Sequence, residues 1–531
     1  MTSASPEPFE RTGDLPDWTV PDEQHPAAAG RPFGSRPVAL GISVQYRRQK
    51  KRMSQKNVIL LVLDAVRPDH LSCHGYRRRT TPNIDRIAED GVLYENAFSN
   101  SNYTAEAHPP ILTGQLPSRS GCYGGNRALP DGAELLSERL QAAGYRTFAT
   151  SAGAHIRRGR GYDRGFDVFQ ETHAIRPTLG AARKLLTERA YRNQAAFTLT
   201  RGPDDKTLYK FESLQEFIDA DADPFFAFLN CKTAHFPYNP PRPFKSEYCP
   251  DLERPSYEFL ERLYGAAGLR TQSHPDLDIG NCRQNPRKFI GDTRSMTEQE
   301  LELVRSWYDG CIRYLDHRIG RLVESLRASG TLEDTYLIVT ADHGEMFGEH
   351  GLMEHKFSLY DTLLRVPLVV RPPGGADGRR LDHPVSLADL FATILAVAGA
   401  PTPDRPHSRN LLPFDDEPRH EHVFAEVGRK SYDVIADADP AYEPPPEHAG
   451  PLQSVRDERF KLIVGQEGHT ELYDWREDPG EREDLSDSRP ETVAELSAVL
   501  EAETDDMTAE AAGEERVSDS VKETLEHLGY R

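Results

Sequence analysis

The sequence predicts an α/β fold: a doubly wound, mostly parallel sheet flanked by helices, with a small α+β subdomain toward the C-terminal end. Three observations carry this. Asn57–Leu63 (N-V-I-L-L-V-L), Pro224–Cys231 (P-F-F-A-F-L-N-C) and Tyr336–Val339 are continuous apolar runs, the pattern of parallel strands buried on both faces. Segments with helical spacing lie between such runs, and strands alternating with helices give a parallel sheet. Asp64 and Asp342 stand just past the first and third runs. In open α/β sheets ligands bind beyond the carboxyl ends of the strands.

Taken in order, residues 1–52 are rich in Pro, Glu, Ser and Gly with little periodicity, and read as a disordered extension. Met53 opens the body, residues 53–417, and a chain starting there is expected to fold. Thr81-Pro82 begins a helix that Gly91 ends, with Pro inside the start and Gly past the end. Asp131–Ala143 reads as a helix and Arg146–Thr150 as a strand. Residues 238–296 are Pro-rich and irregular, and are expected to form a lid or insertion. Thr297–Ser329 is a long amphipathic helix, with Leu301, Val304, Tyr308, Ile312, Leu315, Ile319, Leu322 and Leu326 on one face. Leu368–Val370 is a further strand and Ser386–Val397 a further helix. Residues 418–505 change character. Glu421–Val427, Gln453–Val464 and Glu471–Trp475 read as antiparallel strands, and Pro490–Glu501 as a helix packed on them. Residues 506–531 form an acidic tail.

The 531 residues include 64 basic and 85 acidic side chains, a net charge of −21, which repels nucleic acid and anionic membrane surfaces. Arginine far outnumbers lysine, a profile that fits adaptation to high salt and fits equally an ordinary acidic protein from a GC-rich genome. The six cysteines form no C-x-x-C pair, so no disulfide framework is expected and a reducing cytoplasm is. No apolar stretch reaches the ~20 residues that span a bilayer, and no signal peptide is read at Met1. The basic run Arg47–Arg52 mimics an internal export signal, but the apolar run behind it ends in Asp64 and carries the first strand.

Thr340–Glu345 reads T-A-D-H-G-E. A carboxylate and an imidazole side by side at a strand end are ligands for a divalent metal. With Asp64 they predict one metal-centred site made of Asp64, Asp342 and His343. The metal is Ca, Mg, Mn or Zn; the residues do not choose among them.

Between these acidic strand ends lies Ser101–Gly114, S-N-Y-T-A-E-A-H-P-P-I-L-T-G. Here the chain resembles the sulfatases and their relatives in the alkaline phosphatase superfamily. Their nucleophile motif runs C-x-P-S-R-x-x-L-x-T-G, and its end is matched by Ile111-x-Thr113-Gly114. Counting back places Thr104 at the nucleophile. The likeness extends over L-D-A-V-R-P-D-H at 63–70, T-P-N-I-D at 81–85, G-F-D-V-F at 165–169 and H-F-P-Y at 235–238. It continues over D-H-G-E at 342–345, R-V-P-L-V-V at 365–370 and E-L-Y-D-W-R-E-D-P at 471–479.

The resemblance implies an ester hydrolase with a divalent metal. Family sulfatases oxidise a Cys or Ser to formylglycine. Threonine would yield a ketone instead, so no formylglycine is expected and Thr104 is expected to act as a hydroxyl. Family members with an unmodified Thr act on phosphate esters. The family Pro is Glu106 here, the family Arg aligns with His108, and the second front-end Asp is Ala65. Lys356 matches the family lysine that contacts the ester oxygens.

A hydroxyl becomes a useful nucleophile when a metal lowers its pKa, so Thr104 is expected among the metal's ligands as well. A helix starting at Thr104 would turn its N–H groups to an anionic ester. His235, after the second run, is placed to protonate the leaving oxygen. Lys356 and His108 would stabilise charge in the transition state. His350, His355 and Glu349 form an alternative set for a second metal.

Each assignment has a plainer rival: a D-H turn, a helix cap at Asp64, a surface hydroxyl, a structural turn at His235, solvated side chains for the others. The expected partner is a small-molecule or glycan anionic ester, with neither nucleic acid nor membrane insertion. Two other classes stay open. One is a transferase passing a phosphoryl-linked head group to a glycan or lipid. The other is a non-catalytic binding protein on the same fold.

Overall fold

A computed structural model describes residues 55–124, 126–151, 155–172, 187–201, 204–236, 238–249, 298–355, 358–428, 450–465 and 468–504. The extension expected at 1–52, most of the insertion expected at 238–296 and the tail at 506–531 lie outside the described residues. So does Lys356.

The body is built on one sheet of nine strands, with a separate two-stranded hairpin beside it in the chain. The strands are β1 Asn57–Leu63, β2 Val92–Phe98, β3 Arg146–Ser151, β4 Val168–Glu171, β5 Phe225–Cys231, β6 Thr335–Thr340, β7 Met346–Phe347, β8 Met353–Glu354, β9 Arg365–Arg371, β10 Arg379–Leu381 and β11 Val385–Ser386. β7 and β8 form a separate hairpin; the rest share the order β10-β2-β9-β6-β1-β5-β3-β4, with β11 also on β2. From β6 through β1, β5 and β3 to β4 every pairing is parallel. β9 runs antiparallel to both β6 and β2.

β1 sits in the middle of the parallel block, and each residue from Val58 to Leu63 is fully buried. A strand covered on both faces has no reason to alternate, which is why its sequence is an unbroken apolar run. β2 is different. Glu95 and Asn96 interrupt it, and its register on β9 slips between Tyr94 and Ala97. The slip is a bulge, and Arg365 satisfies the displaced Glu95 carbonyl with Nε (3.0 Å) and Nη2 (2.8 Å).

The described helices are α1 Pro82–Glu89, α2 Thr104–Thr113, α3 Pro117–Ser120, α4 Leu136–Ala142, α5 Arg189–Arg201, α6 Thr207–Asp219, α7 Glu298–Ala328, α8 Asp361–Leu364, α9 Asp389–Val397 and α10 Pro490–Glu503. They flank the sheet in two groups, α1 and α6 against α7, and α2 and α4 against α9. The start of α1 is capped from α7. Asp316 Oδ1 accepts the backbone N–H of Asn83 and of Ile84, each at 2.9 Å.

A second sheet is antiparallel and in chain order: β12 Val423–Val427, β13 Leu452–Arg456, β14 Phe460–Val464 and β15 Thr470–Asp474. α10 buries Leu496 and Leu500 against its Phe424, Val455, Leu462 and Leu472. The single strand expected over Gln453–Val464 is a hairpin instead. Asp457 Oδ1 accepts the N–H of Arg459 (2.7 Å) and of Phe460 (2.6 Å), closing a side-chain turn that apolar patterning does not reveal. The two sheets meet over buried charges. Arg456 and Lys461 of the second sheet both bind Asp361 of α8, and Lys461 also binds Glu481 at 2.5 Å.

Candidate active site

Four segments converge where strands of the main sheet end. β1 runs into Asp64 and β6 into Ala341, Asp342 and His343. β5 runs into Lys232 and His235. β2 is followed by the loop that leads into α2, whose first residue is Thr104. That loop is pinned at each step. Ser99 N–H donates to Leu364 O (2.7 Å), Asn100 Nδ2 to Phe424 O (2.8 Å) and Asn102 Nδ2 to Ser358 O (2.8 Å).

The carboxylates of Asp64 and Asp342 and the imidazole of His343 bring ligand atoms within 4.8 Å of one another. All three side chains are buried. Asp342 Oδ1 accepts the N–H of Ala65 (3.2 Å) and of His343 (3.0 Å). Its Oδ2, and Oδ1 of Asp64, are buried and accept no hydrogen bond. His343 Nδ1 lies 2.9 Å from the Gly344 carbonyl, to which it donates, so the Nε2 lone pair is turned inward. It stands 3.7 Å from Asp64 Oδ1 and 3.6 Å from Asp342 Oδ2. Two buried carboxylate oxygens without donors, facing a neutral imidazole, fit a divalent cation and fit little else.

The electrostatics agree. Burial drives the Asp64 carboxyl well above its usual range, and neighbouring Asp342 adds to this. Asp342 is also pushed up by burial. The imidazoles of His343 and His108 and the Ala65 N–H outweigh that and hold it below its usual range.

Thr104 is buried, with its Oγ1 3.1 Å from His343 Nε2. His108, one turn along α2, is wholly buried behind it. Its Nδ1 lies 2.9 Å from the Thr104 carbonyl and 3.7 Å from Asp342 Oδ2, and Asn230 Nδ2 approaches its Nε2 at 3.3 Å. Burial holds this imidazole below its usual pKa. Both ring nitrogens therefore serve the protein, and His108 buttresses Thr104 and Asp342. Glu106, two residues after Thr104 on α2, is buried and accepts the N–H of Gly124 (3.1 Å) and of Gly428 (3.0 Å). It ties the helix to the end of β12.

His235 is buried, its Nδ1 donating to the Phe236 carbonyl at 2.5 Å. Burial, then Lys232 and His355, keep the ring neutral well below its ordinary pKa. It packs edge-on against His355 (4.7 Å between centroids), which stacks on His343 (4.3 Å). The alternative second-metal set does not assemble. His355 Nδ1 pairs with Glu345 Oε1 at 3.0 Å, Glu349 with Arg67 at 2.7 Å, and His350 stacks on Tyr360. Among the described residues only Asp64, Asp342 and His343 gather as a metal cluster.

Two local constraints fix the geometry. A Cβ on Gly344 would meet the Thr362 carbonyl oxygen at 2.0 Å, so only glycine lets the chain turn there after His343. Ala65 sits at φ 63°, a left-handed conformation costly for a residue with a Cβ. Its N–H goes to Asp342 and its carbonyl accepts Tyr308 Oη at 2.7 Å.

Sequence reasoning passed over His155 and Lys232. His155 follows β3; its Nε2 lies 2.9 Å from the hydroxyl of Tyr103, the residue before Thr104. Lys232, half-buried, acts electrostatically on Asp64, His235 and His155 alike. The usable signal was that both follow a buried strand, as the other site residues do.

A sequence model described as Sulfatase matches residues 56–400, and one described as N-sulphoglucosamine sulphohydrolase, C-terminal, matches residues 348–510. Among curated proteins, an uncharacterised sulfatase, YidJ, of Escherichia coli (strain K12) is 26% identical, over 82% of this chain and 84% of that protein. A choline-sulfatase of Rhizobium meliloti (strain 1021) is 25% identical, over 77% of this chain and 78% of that one. Among solved structures, the phosphonate monoester hydrolase of Agrobacterium radiobacter superposes with a TM-score of 0.63 at 23% identity, covering 84% of this chain and 95% of that chain.

Proposed function

Because the chain belongs to the sulfatase family, and is an ester hydrolase, we propose that it cleaves phosphate esters or diesters in preference to sulfate esters, with Thr104 as the nucleophile. The observation that carries this reading is the place of Thr104. It is the first residue of α2, at the family's nucleophile position, with its hydroxyl against the inward lone pair of His343. The names of its relatives are those of sulfatases and phosphonate monoester hydrolases, so the choice rests on the side chain. Hydrated formylglycine expels sulfate from a geminal diol. A threonyl sulfate has no such exit, whereas a threonyl phosphate is opened by water at phosphorus.

Asp64, Asp342, His343 and Thr104 Oγ1 are the residues that would hold a divalent cation. When bound, it supplies Lewis-acid polarisation of the hydroxyl and neutralises charge on the ester. The chain's own residues do the rest. Thr104 Oγ1, its proton given up to solvent, attacks phosphorus as the bond to the leaving oxygen breaks. His235 is neutral at rest; an anionic ester beside it raises its proton affinity, so that it binds a proton and passes it to the leaving oxygen. Water then attacks phosphorus, one of its protons returns to Thr104 Oγ1 as the Oγ1–P bond breaks, and phosphate leaves, or its monoester where the substrate is a diester. His108 and the Ala65 N–H orient Thr104 and Asp342, and the free N–H groups at the start of α2 face the ester oxygens. Lys356, which matches the family lysine that contacts the ester oxygens, would by that resemblance act on the same charge.

The test is peptide mass spectrometry on protein quenched in acid during turnover of an aryl phosphate. Phosphothreonine at 104 is expected in the quenched sample, with unmodified threonine at rest. A resting aldehyde or ketone at position 104, or a phosphoryl group on another residue, overturns the reading.

A further inference from the structure

The chain carries a net charge of −21, yet the ground beside Thr104 is basic. Tyr103 immediately precedes Thr104, is partly exposed, and has the guanidinium of Arg127 over its ring at 5.6 Å from the centroid. Its hydroxyl is 2.9 Å from His155 Nε2, and Arg160 Nη1 is 3.0 Å from His155 Nδ1. Arg160 is almost wholly buried, and Arg127 and Lys232 are half-buried.

After burial, the strongest influences on the His155 imidazole are four cations: Arg127, Arg160, Lys232 and Arg157. Together with burial they hold it neutral. Lys232 reaches the other way as well, to Asp64 and His235. Beside Thr104, then, Tyr103, His155 and Arg160 form one hydrogen-bonded chain, with Arg127 over the Tyr103 ring and Lys232 within electrostatic reach of His155 and Asp64. Among the described residues Arg127 forms no ion pair with a carboxylate, and its recorded contact is the Tyr103 ring. A half-buried guanidinium held over an aromatic face, with no carboxylate paired to it among the described residues, is placed to take an oxyanion.

We propose that Arg127, with Lys232 and the Tyr103–His155–Arg160 chain, forms a subsite for a second anionic group on the substrate, separate from the ester being cleaved. The group is a carboxylate, sulfate or phosphate on the non-reacting part of the molecule. The proposal rests on the reading that Thr104 marks the point of attack. It makes the substrate a di-anionic compound and assigns Arg127 a role in specificity. The planar fork of arginine suits bidentate binding of such oxyanions.

The test uses two phosphodiesters of equal size with the same 4-nitrophenyl leaving group, one with a 2-carboxyethyl arm and one with a neutral propyl arm. For each protein the ratio of kcat/KM between them is measured. Arg127→Gln is expected to lower that ratio by roughly 10-fold or more, the scale of one charge-assisted contact, with Arg127→Lys restoring part of it. An unchanged ratio overturns the subsite and assigns these cations to the reacting ester. A second arm measures binding of the carboxyethyl diester to Thr104→Ala and to Thr104→Ala with Arg127→Gln by calorimetry. Weaker binding in the double variant upholds the subsite even where the wild type turns over neither diester, a result that counts against the Thr104 reading alone. Equal binding overturns the subsite even where turnover is normal. Melting temperatures of the variants separate misfolding from lost recognition.

Discussion

Asp342 spends its two oxygens differently, and this division tells most about the site. Oδ1 takes the N–H groups of Ala65 and His343; Oδ2 is buried with no donor. Asp342→Asn keeps the shape and removes the charge, while His343→Ala removes the inward lone pair. Each is expected to weaken divalent-cation binding by more than about 100-fold, beyond what loss of a ligand's hydrogen-bonding partner costs. Calorimetric titration of chelator-stripped protein checks this, and wild-type affinity in either variant contradicts it. For Thr104, replacement by Ala is expected to lower kcat by roughly a thousandfold or more, with Ser retaining part of the activity, because only the hydroxyl is required. Steady-state kinetics on an aryl phosphate reads this out. Asp64, Asp342 and His343 were legible in the sequence because a buried strand announces its own end. His155 and Lys232 were not, because their meaning lies in Tyr103 and Asp64, which reach them only through the folded sheet.

Elements show the same contrast between local and distant causes. β1, β5 and β6 could be read off as apolar runs because central parallel strands need no polar face. β2 could not, since its bulge at Glu95 and Asn96 is stabilised by Arg365 from β9. The turn that splits Gln453–Val464 depends on one aspartate side chain. The turn after His343 is tighter still. Gly344→Ala would drive a Cβ into the Thr362 carbonyl and is expected to cost about 1–3 kcal/mol or more in urea unfolding. It should also weaken metal binding by displacing His343.

At the start of α1, burial raises the Asp316 carboxyl from 3.8 to about 6 despite its hydrogen bonds. The folded chain thus binds that proton more tightly than the unfolded one. Its contribution to stability is full below about pH 4, falls as pH rises to about 6, and is level above. Asparagine does not titrate. Relative to wild type, Asp316→Asn should therefore gain in urea midpoint between pH 4.5 and pH 7. A constant difference across that range contradicts the assignment.

At the scale of the whole molecule, the two sheets are joined by Asp361, Arg456, Lys461 and Glu481, all buried. A buried charge that loses its partner is expensive, so Lys461→Met should destabilise the protein by about 3–5 kcal/mol although it removes no apolar contact. The global ester-hydrolase identity was visible in the order of many weak motifs. This joint was not, because its four charges come from segments that sequence patterning treats as surface.

The account's central claim joins all three scales: an unmodified Thr104, set by α2 against the Asp64–Asp342–His343 cluster, commits an acidic member of the sulfatase family to phosphorus. The most direct measurement is the ratio of kcat/KM for 4-nitrophenyl phosphate to that for 4-nitrophenyl sulfate, taken with saturating divalent cation. The account predicts a ratio above one, lost together with activity in Thr104→Ala. Faster turnover of the sulfate, or an active Thr104→Ala, would contradict it.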